Sequence, residues 1–236
     1  MNFNELIMTA SDYTPARKYL QDRLIPDNFI DGLYANPDCT VIWGDENIDV
    51  TESEGIWINE GVEWQHGGRV PLGNDPRIVF PFYALGSAGN MSDLVGFTTR
   101  HLKAGDDGMR YQGRRYVDNA PMILNGHKVD TNGKIIFVTE GLLDCAHLPN
   151  SCSTHDYTML PTDWKNRAVL IYDNDRDDLE DVNKLGRANA IADGWRVVNW
   201  GTAEGHPYHK DINAMAMAGM DTPQIVELVM SHAEPY

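Results

Sequence analysis

Acidic residues follow two short apolar runs in the second half of the chain. Glu140 follows the run at 135–138 and begins a turn, and Asp173 and Asp175 follow the run at 168–172. Apolar runs of this length, bounded by turn formers, are typical of strands that are buried on both faces of a parallel sheet. Ligands of such sheets bind at the carboxyl ends of the strands, so we expect these three carboxylates to converge there.

Three carboxylates at one edge of a sheet repel one another unless a divalent cation lies between them. Such an oxygen-rich set favours Mg²⁺ or Mn²⁺ over zinc. A Glu-Gly pair after a strand is by itself often only a turn, and an Asp-x-Asp motif is often only a helix cap. Both motifs in order within one α/β unit are more specific, and together they predict a magnesium or manganese site.

The two segments that carry these acids, IIFVTEGLLD at 135–144 and AVLIYDNDRDD at 168–178, resemble the Toprim domain of bacterial-type primases, topoisomerases and some nucleases. The resemblance implies that Glu140 acts in general acid/base catalysis and that Asp173 and Asp175 bind metal. Replicative primases have another acidic motif further along the chain, and HKDIN at 209–213 stands where that motif is expected. Asp211 is therefore a candidate third metal carboxylate.

Motifs in the first half of the chain resemble the primase polymerase core. YLQDR at 19–23 matches its opening helical pair, and the strands predicted at 77–83 and 93–100 match its two-stranded hairpin. RYVDN at 115–119 is similar to a Lys-Tyr-x-Asn motif, with arginine as a bidentate fork in place of lysine. The resemblance implies that five residues bind nucleotide or nucleic acid: Arg77, Arg100, Arg115, Tyr116 and Asn119.

One departure from the family follows the second acid motif. Arg176-Asp177-Asp178 stands where the family commonly has Arg-Ala-Gly. This weakens any expectation that the next helix, predicted at 177–193 with Gly194 as its C-cap, approaches a phosphate. The metal role expected of Asp173 and Asp175 does not depend on it.

The charge of the chain is unevenly distributed. The formal net charge is −16, which is unusual for a protein that binds polyanions. Residues 69–134 hold nine basic and six acidic side chains, whereas the segments before and after are both strongly acidic. Contacts to nucleic acid are therefore expected in residues 69–134.

Three cysteines, Cys39, Cys145 and Cys152, form no Cys-x-x-Cys pair and are expected to be buried thiols in a reducing compartment. The given sequence therefore predicts no zinc ribbon of the kind that full-length primases carry, and His206 and His209 are too weak a pattern to predict zinc. No apolar window approaches the roughly 18 residues of a membrane span. We expect a cytoplasmic protein, in the host cytoplasm if a phage encodes it.

These observations predict an α/β protein in two domains. A smaller α+β primase polymerase-core domain at 1–133 would precede a Toprim domain with a central parallel sheet at 134–236. The detail of the motifs is closest to primases of large tailed phages. The expected function is Mg²⁺- or Mn²⁺-dependent synthesis of short RNA primers on single-stranded DNA, from ribonucleoside triphosphates and with a replicative helicase as partner.

Two alternatives stay open. A Toprim nuclease would use the same acids to direct water instead of a 3′-hydroxyl, on DNA or RNA. A non-catalytic Toprim module that binds a replication helicase would suit the acidic balance and the missing zinc ribbon. A topoisomerase is disfavoured, because it needs a large additional domain with a tyrosine nucleophile.

Overall fold

The computed structural model describes residues 8–36, 76–102, 111–174, 182–200 and 209–233. By contacts between residues the chain divides into two compact units. The first comprises residues 1–82 and 94–120, and the second comprises residues 83–93 and 121–236. The domain boundary expected between residues 133 and 134 stays a prediction, and residues 121–133 pack within the second unit.

The first unit contains a five-stranded sheet in the order β1-β2-β3-β4-β5. The strands are β1 (Met8–Thr9), β2 (Tyr34–Asn36), β3 (Arg77–Tyr83), β4 (Leu94–His101) and β5 (Tyr111–Arg115). β1 pairs with β2, β2 with β3 and β4 with β5, each antiparallel. The strands predicted at 77–83 and 93–100 are confirmed as β3 and β4, and both are buried over most of their length.

Two helices of the first unit lie between β1 and β2. α1 (Thr14–Gln21) has Pro15 in its first turn and buries Ala16 and Leu20, and α2 (Asp27–Ile30) begins after Pro26 and buries Ile30. The helical pair expected from the YLQDR segment is therefore present. Its first helix begins at Thr14, and Tyr13 takes the cap position without a side-chain hydrogen bond.

The second unit is built on a four-stranded parallel sheet in the order β7-β6-β8-β9. The strands are β6 (Ile136–Thr139), β7 (Ser151–Ser153), β8 (Ala168–Ile171) and β9 (Arg196–Val197). β6 and β8 are buried at every position, as expected for strands covered on both faces. The predicted parallel pair is confirmed, and the protein is mixed α/β with a core compatible with a Toprim domain.

Helices α4 (Ile212–Met217) and α5 (Thr222–His232) cover one face of this sheet. They pack Ile212, Met215, Ile225 and Val229 against Phe137, Val169 and Ile171. Leu148, which follows β6 in the connection to β7, belongs to the same cluster. The chain therefore leaves the carboxyl end of β6 towards this face.

The connections after β7 and β8 cover the opposite face. Leu160 and Trp164, from the β7–β8 connection, and Ala190, from α3 (Val182–Ala192), pack against Val138 and Leu170. Because neighbouring side chains of a strand point to opposite faces, Phe137 and Val138 serve different clusters. Adjacent strands β6 and β8 thus send their following segments to opposite faces, which opens a crevice between their carboxyl ends.

Within the helix predicted at 177–193, the sequence places Leu179, Val182, Leu185 and Ile191 at helical spacing, which indicates one apolar face, and the structure departs from this expectation in part. Residues 175–181 lie outside the described ranges, and Leu185 and Ile191 are exposed by 61% and 49%. The described helix packs through the small Ala190 instead, so its buried face is narrower than the apolar spacing indicated. Gly194 ends the helix in the left-handed conformation, with φ +82°, as expected of a C-cap.

The expectation of buried thiols is met for the two cysteines in the described part of the chain. Cys145 and Cys152 are free, buried thiols, and Cys39 lies outside the described residues. Burial raises the pKa of both thiols, which keeps them protonated and unreactive. Within the described ranges, no helix is long and apolar enough to cross a membrane.

Candidate functional site

Glu140 and Asp173 meet at the carboxyl ends of β6 and β8. Thr139 is in register with Ile171, so Glu140 and the residues after Ile171 leave the sheet side by side. The backbone N–H of Glu140 donates to the carbonyl of Ile171 at 3.1 Å. The N–H of Asp173 donates to Oε2 of Glu140 at 3.3 Å. The crevice formed by the topology therefore holds two of the expected acids.

Residues 209–211 run beside Asp173 and Asn174. The N–H of Asn174 donates to the carbonyl of Lys210 at 2.7 Å, and its side-chain Nδ2 donates to the carbonyl of His209 at 3.3 Å. Nζ of Lys210 lies 3.9 Å from Oδ2 of Asp173. These contacts bring Asp211, the next residue, to the same edge of the sheet.

Asp211 is the N-cap of α4. Its Oδ1 accepts a hydrogen bond from the N–H of Ala214 at 2.7 Å. A cap of this kind uses one carboxylate oxygen and leaves the other for a second partner. Among the described residues, no hydrogen bond reaches Oδ2 of Asp211 or Oε1 of Glu140.

The oxygen donors at this edge fit a hard divalent cation. Mg²⁺ typically takes only one or two carboxylates and completes its shell with water, and Asp173 and Asp211 are the described acids expected to supply them. In the described part of the chain, no three His, Cys, Asp or Glu side chains lie close enough together to hold a metal ion. Asp175, the fourth expected acid, lies outside the described residues.

Arg187 is a cation at this edge that the sequence did not single out. Its Nη2 donates to the carbonyl of Asp173, and its guanidinium lies 5.9 Å from the centre of the Tyr172 ring. Arg187 contacts the backbone carbonyl of Asp173, whereas Lys210 lies beside its carboxylate, so both bring positive charge to this edge. Arg187 lies on α3, six residues after the range 175–181, which is outside the described residues. It belongs to no motif by which the sequence could identify it.

A small open pocket of about 20 Å³, room for about one water molecule, lies next to Glu140, on the face of the sheet that α3 covers. Its floor is apolar, and its rim carries the carboxylate of Glu140 and the rings of Tyr157 and Tyr172. Both tyrosine hydroxyls are engaged, Tyr157 with Asp193 and Tyr172 with the carbonyl of Gly186.

A buried polar cluster was also missed. Asp144 and His147, from the short 3-10 helix Asp144–His147 after β6, contact Asn213 in the first turn of α4. The one sequence feature that could have indicated this cluster is the spacing of Gly141 and Asp144 after Glu140. A Cβ on Gly141 would lie 2.0 Å from Oδ2 of Asp144, so only glycine fits there while Asp144 keeps this position. The glycine thus makes room for that carboxylate.

The two arginines expected on β3 and β4 are both buried in the first unit. Arg77 has no exposed surface, and its Nη1 lies 3.4 Å from Oγ1 of Thr99. Arg100 is 7% exposed, donates from Nη1 to the hydroxyl of Tyr111 at 2.6 Å and lies over the rings of Tyr19 and Tyr111. Both guanidinium groups therefore contribute to the packing of this unit, whatever else they bind.

The other three expected binding residues lie at the end of β5 and in the turn after it. Arg115 is half-buried and in register with Gly96. Tyr116 is exposed by 42% and packs on Phe97 with 5.9 Å between ring centres. Asn119 is exposed, with φ +58°, a conformation that asparagine tolerates better than most residues. These three side chains form an accessible edge of the first unit.

No model of a known protein family matches this chain, and no curated protein matches it either. The resemblance to Toprim primases therefore rests on the motifs of the chain itself.

Proposed function

We propose that this chain is the catalytic core of a DNA primase, which synthesises short RNA primers on single-stranded DNA. The observation that carries the proposal is the contact between Glu140 and the N–H of Asp173 at the ends of adjacent parallel strands. It supports a site in which acids from two separate motifs act on one ligand. In this proposal the first unit corresponds to the polymerase-core domain and the second to the Toprim domain.

Each residue at the edge has a role that its chemistry supports. Glu140 accepts the proton of the attacking 3′-hydroxyl as general base. Asp173, Asp175 and Asp211 would hold Mg²⁺ or Mn²⁺, which when bound neutralises triphosphate charge and lowers the pKa of that hydroxyl. Lys210 and Arg187 carry positive charge at the same edge, where a phosphate group would also be attracted.

The proposed partners follow from the charge of the chain. Single-stranded DNA and ribonucleoside triphosphates are polyanions, and the basic segment 69–134 offers the cations to bind them. Arg115 and Tyr116 are accessible there, and an exposed tyrosine can stack on a base. A replicative helicase would supply the moving template in the cell.

A product assay tests the proposal and separates it from its alternatives. The purified chain is incubated with labelled ribonucleotides, single-stranded DNA and Mg²⁺ or Mn²⁺, with and without a helicase. A primase yields labelled oligoribonucleotides of defined length. Cleavage of the DNA without incorporation would identify a nuclease, and neither reaction under any condition would identify a non-catalytic module.

A further inference from the structure

The roles proposed above leave unused the buried cluster of Asp144, His147 and Asn213. Their side chains are exposed by only 6%, 8% and 4%. A buried polar group costs free energy unless it is hydrogen-bonded, so such a cluster persists only where its members satisfy one another. The cluster joins the turn after β6, which carries Glu140, to α4, the helix that Asp211 caps.

The first connection runs through Asp144. Its Oδ1 accepts a hydrogen bond from the backbone N–H of Asn213 at 2.8 Å. That N–H is one of the first-turn donors of α4 that have no partner within the helix. Asp211 satisfies the next donor, the N–H of Ala214. The start of α4 is thus held jointly by its own cap and by a carboxylate from the β6 turn.

The second connection runs through His147. Its Nε2 lies 2.9 Å from Nδ2 of Asn213, which can only donate, so Nε2 accepts in this contact. Burial lowers the pKa of His147, consistent with the neutral ring that such an acceptor requires. These two hydrogen bonds of Asn213 therefore point to residues of one short 3-10 helix.

The start of α4 depends on these contacts for its position. The helix has only six residues, and a helix this short is not stable by itself in water. Its place is therefore set by packing and by the two buried hydrogen bonds. Asp144 is four residues from Glu140, and Asn213 is two residues from Asp211, so the cluster couples two expected site acids through one turn on each side.

We propose that Asp144, His147 and Asn213 are positioning residues that fix the carboxylate of Asp211 relative to Glu140 for binding a divalent cation. None of the three contacts the cation or substrate in this account. The inference rests on the proposed function for its site, and it assigns to the buried cluster the role of partners that orient metal ligands. Loss of such partners typically weakens metal binding or activity by about 10- to 100-fold.

The test compares substitutions that keep a hydrogen-bond acceptor with substitutions that remove it. Asp144→Asn and His147→Gln each retain an acceptor oxygen, whereas Asp144→Ala and His147→Leu do not. The dissociation constant for Mn²⁺ is measured on the full chain from the electron paramagnetic resonance signal of the free ion. We expect Asp144→Ala and His147→Leu to weaken binding about 10-fold or more, and the conservative variants to stay within about 3-fold of wild type.

Three results would overturn the proposal. Unchanged Mn²⁺ affinity in Asp144→Ala and His147→Leu would mean that the cluster does not position the site. An Asp144→Asn variant as weak as Asp144→Ala would mean that the charge of Asp144 matters directly, so that it is itself a ligand. Absence of Mn²⁺ binding by the wild-type chain would overturn the proposal together with the metal site.

A matched control separates positioning from general loss of stability. Asp221 caps α5 as Asp211 caps α4, in a capping box with Gln224. Asp221→Ala should lower stability and leave Mn²⁺ affinity unchanged. If the Asp144→Ala or His147→Leu chain does not fold, hydrogen exchange of the wild type decides instead. The amides of Asn213 and Ala214 should then exchange as slowly as that of Gln224, and fast exchange there would contradict the proposal.

The outcomes also distinguish this inference from the proposed function. Mn²⁺ affinities that follow the expected order in a chain that makes no primers would support positioning and contradict the primase. If the wild type makes primers but all the variants bind Mn²⁺ equally, the primase proposal is supported and the positioning role is contradicted.

Discussion

At the scale of residues, one short turn carries two acids with different environments. Glu140 lies half-buried at the crevice and accepts the N–H of Asp173, whereas Asp144 is buried and accepts the N–H of Asn213. Gly141 between them has no side chain because the carboxylate of Asp144 fills that space. The half-buried position of Glu140 therefore suits a catalytic role, and the buried position of Asp144 suits a structural role.

We predict that Gly141→Ala destabilises the protein. The new Cβ would lie 2.0 Å from Oδ2 of Asp144, so the carboxylate must move and the buried N–H of Asn213 loses its acceptor. An unsatisfied buried donor costs about 1–3 kcal/mol. Urea unfolding measures the change, and a loss below about 0.5 kcal/mol would show that the Asp144 contact is weaker than the geometry indicates.

The burial of His147 predicts how the stability of the folded protein depends on pH. Burial lowers the pKa of His147 below its ordinary value of 6.5, and the nearby Asp211 only partly opposes this. As pH falls below 6.5, the unfolded chain therefore binds a proton that the folded chain does not, and stability decreases. The slope is at most about 1.4 kcal/mol per pH unit for one histidine.

Urea unfolding between about pH 7.5 and pH 5 measures this slope. The His147→Gln variant has no such proton to bind, so its stability should fall less steeply than that of the wild type. His127, whose pKa burial also lowers, would account for part of the remaining slope. Equal slopes in the variant and the wild type would mean that His147 is protonated in the folded protein.

At the scale of elements, the site is a consequence of topology. β6 and β8 are adjacent and parallel, but the segments that follow them cover opposite faces of the sheet. The turns at their ends must therefore separate, and the crevice between them receives Glu140 and Asp173. The segment before α4 closes this crevice through the backbone contact of Lys210 with Asn174.

We predict that Gly186→Ala in α3 stabilises the protein. A Cβ at this position would meet Tyr172 at 3.7 Å, an ordinary contact, and alanine is favoured over glycine in a helix by about 0.5–1 kcal/mol. The variant matches Gly141→Ala in chemistry and should change the free energy of unfolding in the opposite direction. A destabilised Gly186→Ala variant would contradict the helix at this position.

The sequence predicted the elements that obey local rules. The apolar runs that became β6 and β8, the strands β3 and β4, and the end of α3 near Gly194 follow from burial pattern and glycine. The Asp144 cluster could not be predicted, because its partner Asn213 is 69 positions away. The exposed side of α3 was missed because its neighbours, not its periodicity, decide which residues are buried.

At the scale of the whole molecule, the distribution of charge matters more than its sum. The net charge of −16 opposes the approach of DNA, but residues 69–134 are basic. Within this segment Arg77 and Arg100 are buried and Arg115 is half-buried. Arg115 is therefore the arginine best suited to test contact with a phosphate without unfolding the first unit.

We predict that Arg115→Gln weakens binding of single-stranded DNA and lowers its salt dependence. The slope of log K against log salt concentration should decrease by about 0.7 for one lost phosphate contact. Arg17→Gln removes the same charge from the exposed side of α1 and should leave the slope unchanged. Equal effects of the two substitutions would assign the change to net charge alone.

Ribonucleotide incorporation by Glu140→Gln is the most direct test of the central claim, that the acids at the ends of β6 and β8 form a polymerase site. The substitution keeps the size of the side chain and removes its charge and its ability to accept a proton. Glu227→Gln, at an exposed position of α5, makes the same chemical change away from the crevice. Both variants should fold like the wild type.

The wild type and Glu227→Gln are predicted to make primers at similar rates. Glu140→Gln should make them at least about 100-fold more slowly, because it lacks the general base. Primer synthesis by Glu140→Gln at the wild-type rate would contradict the claim.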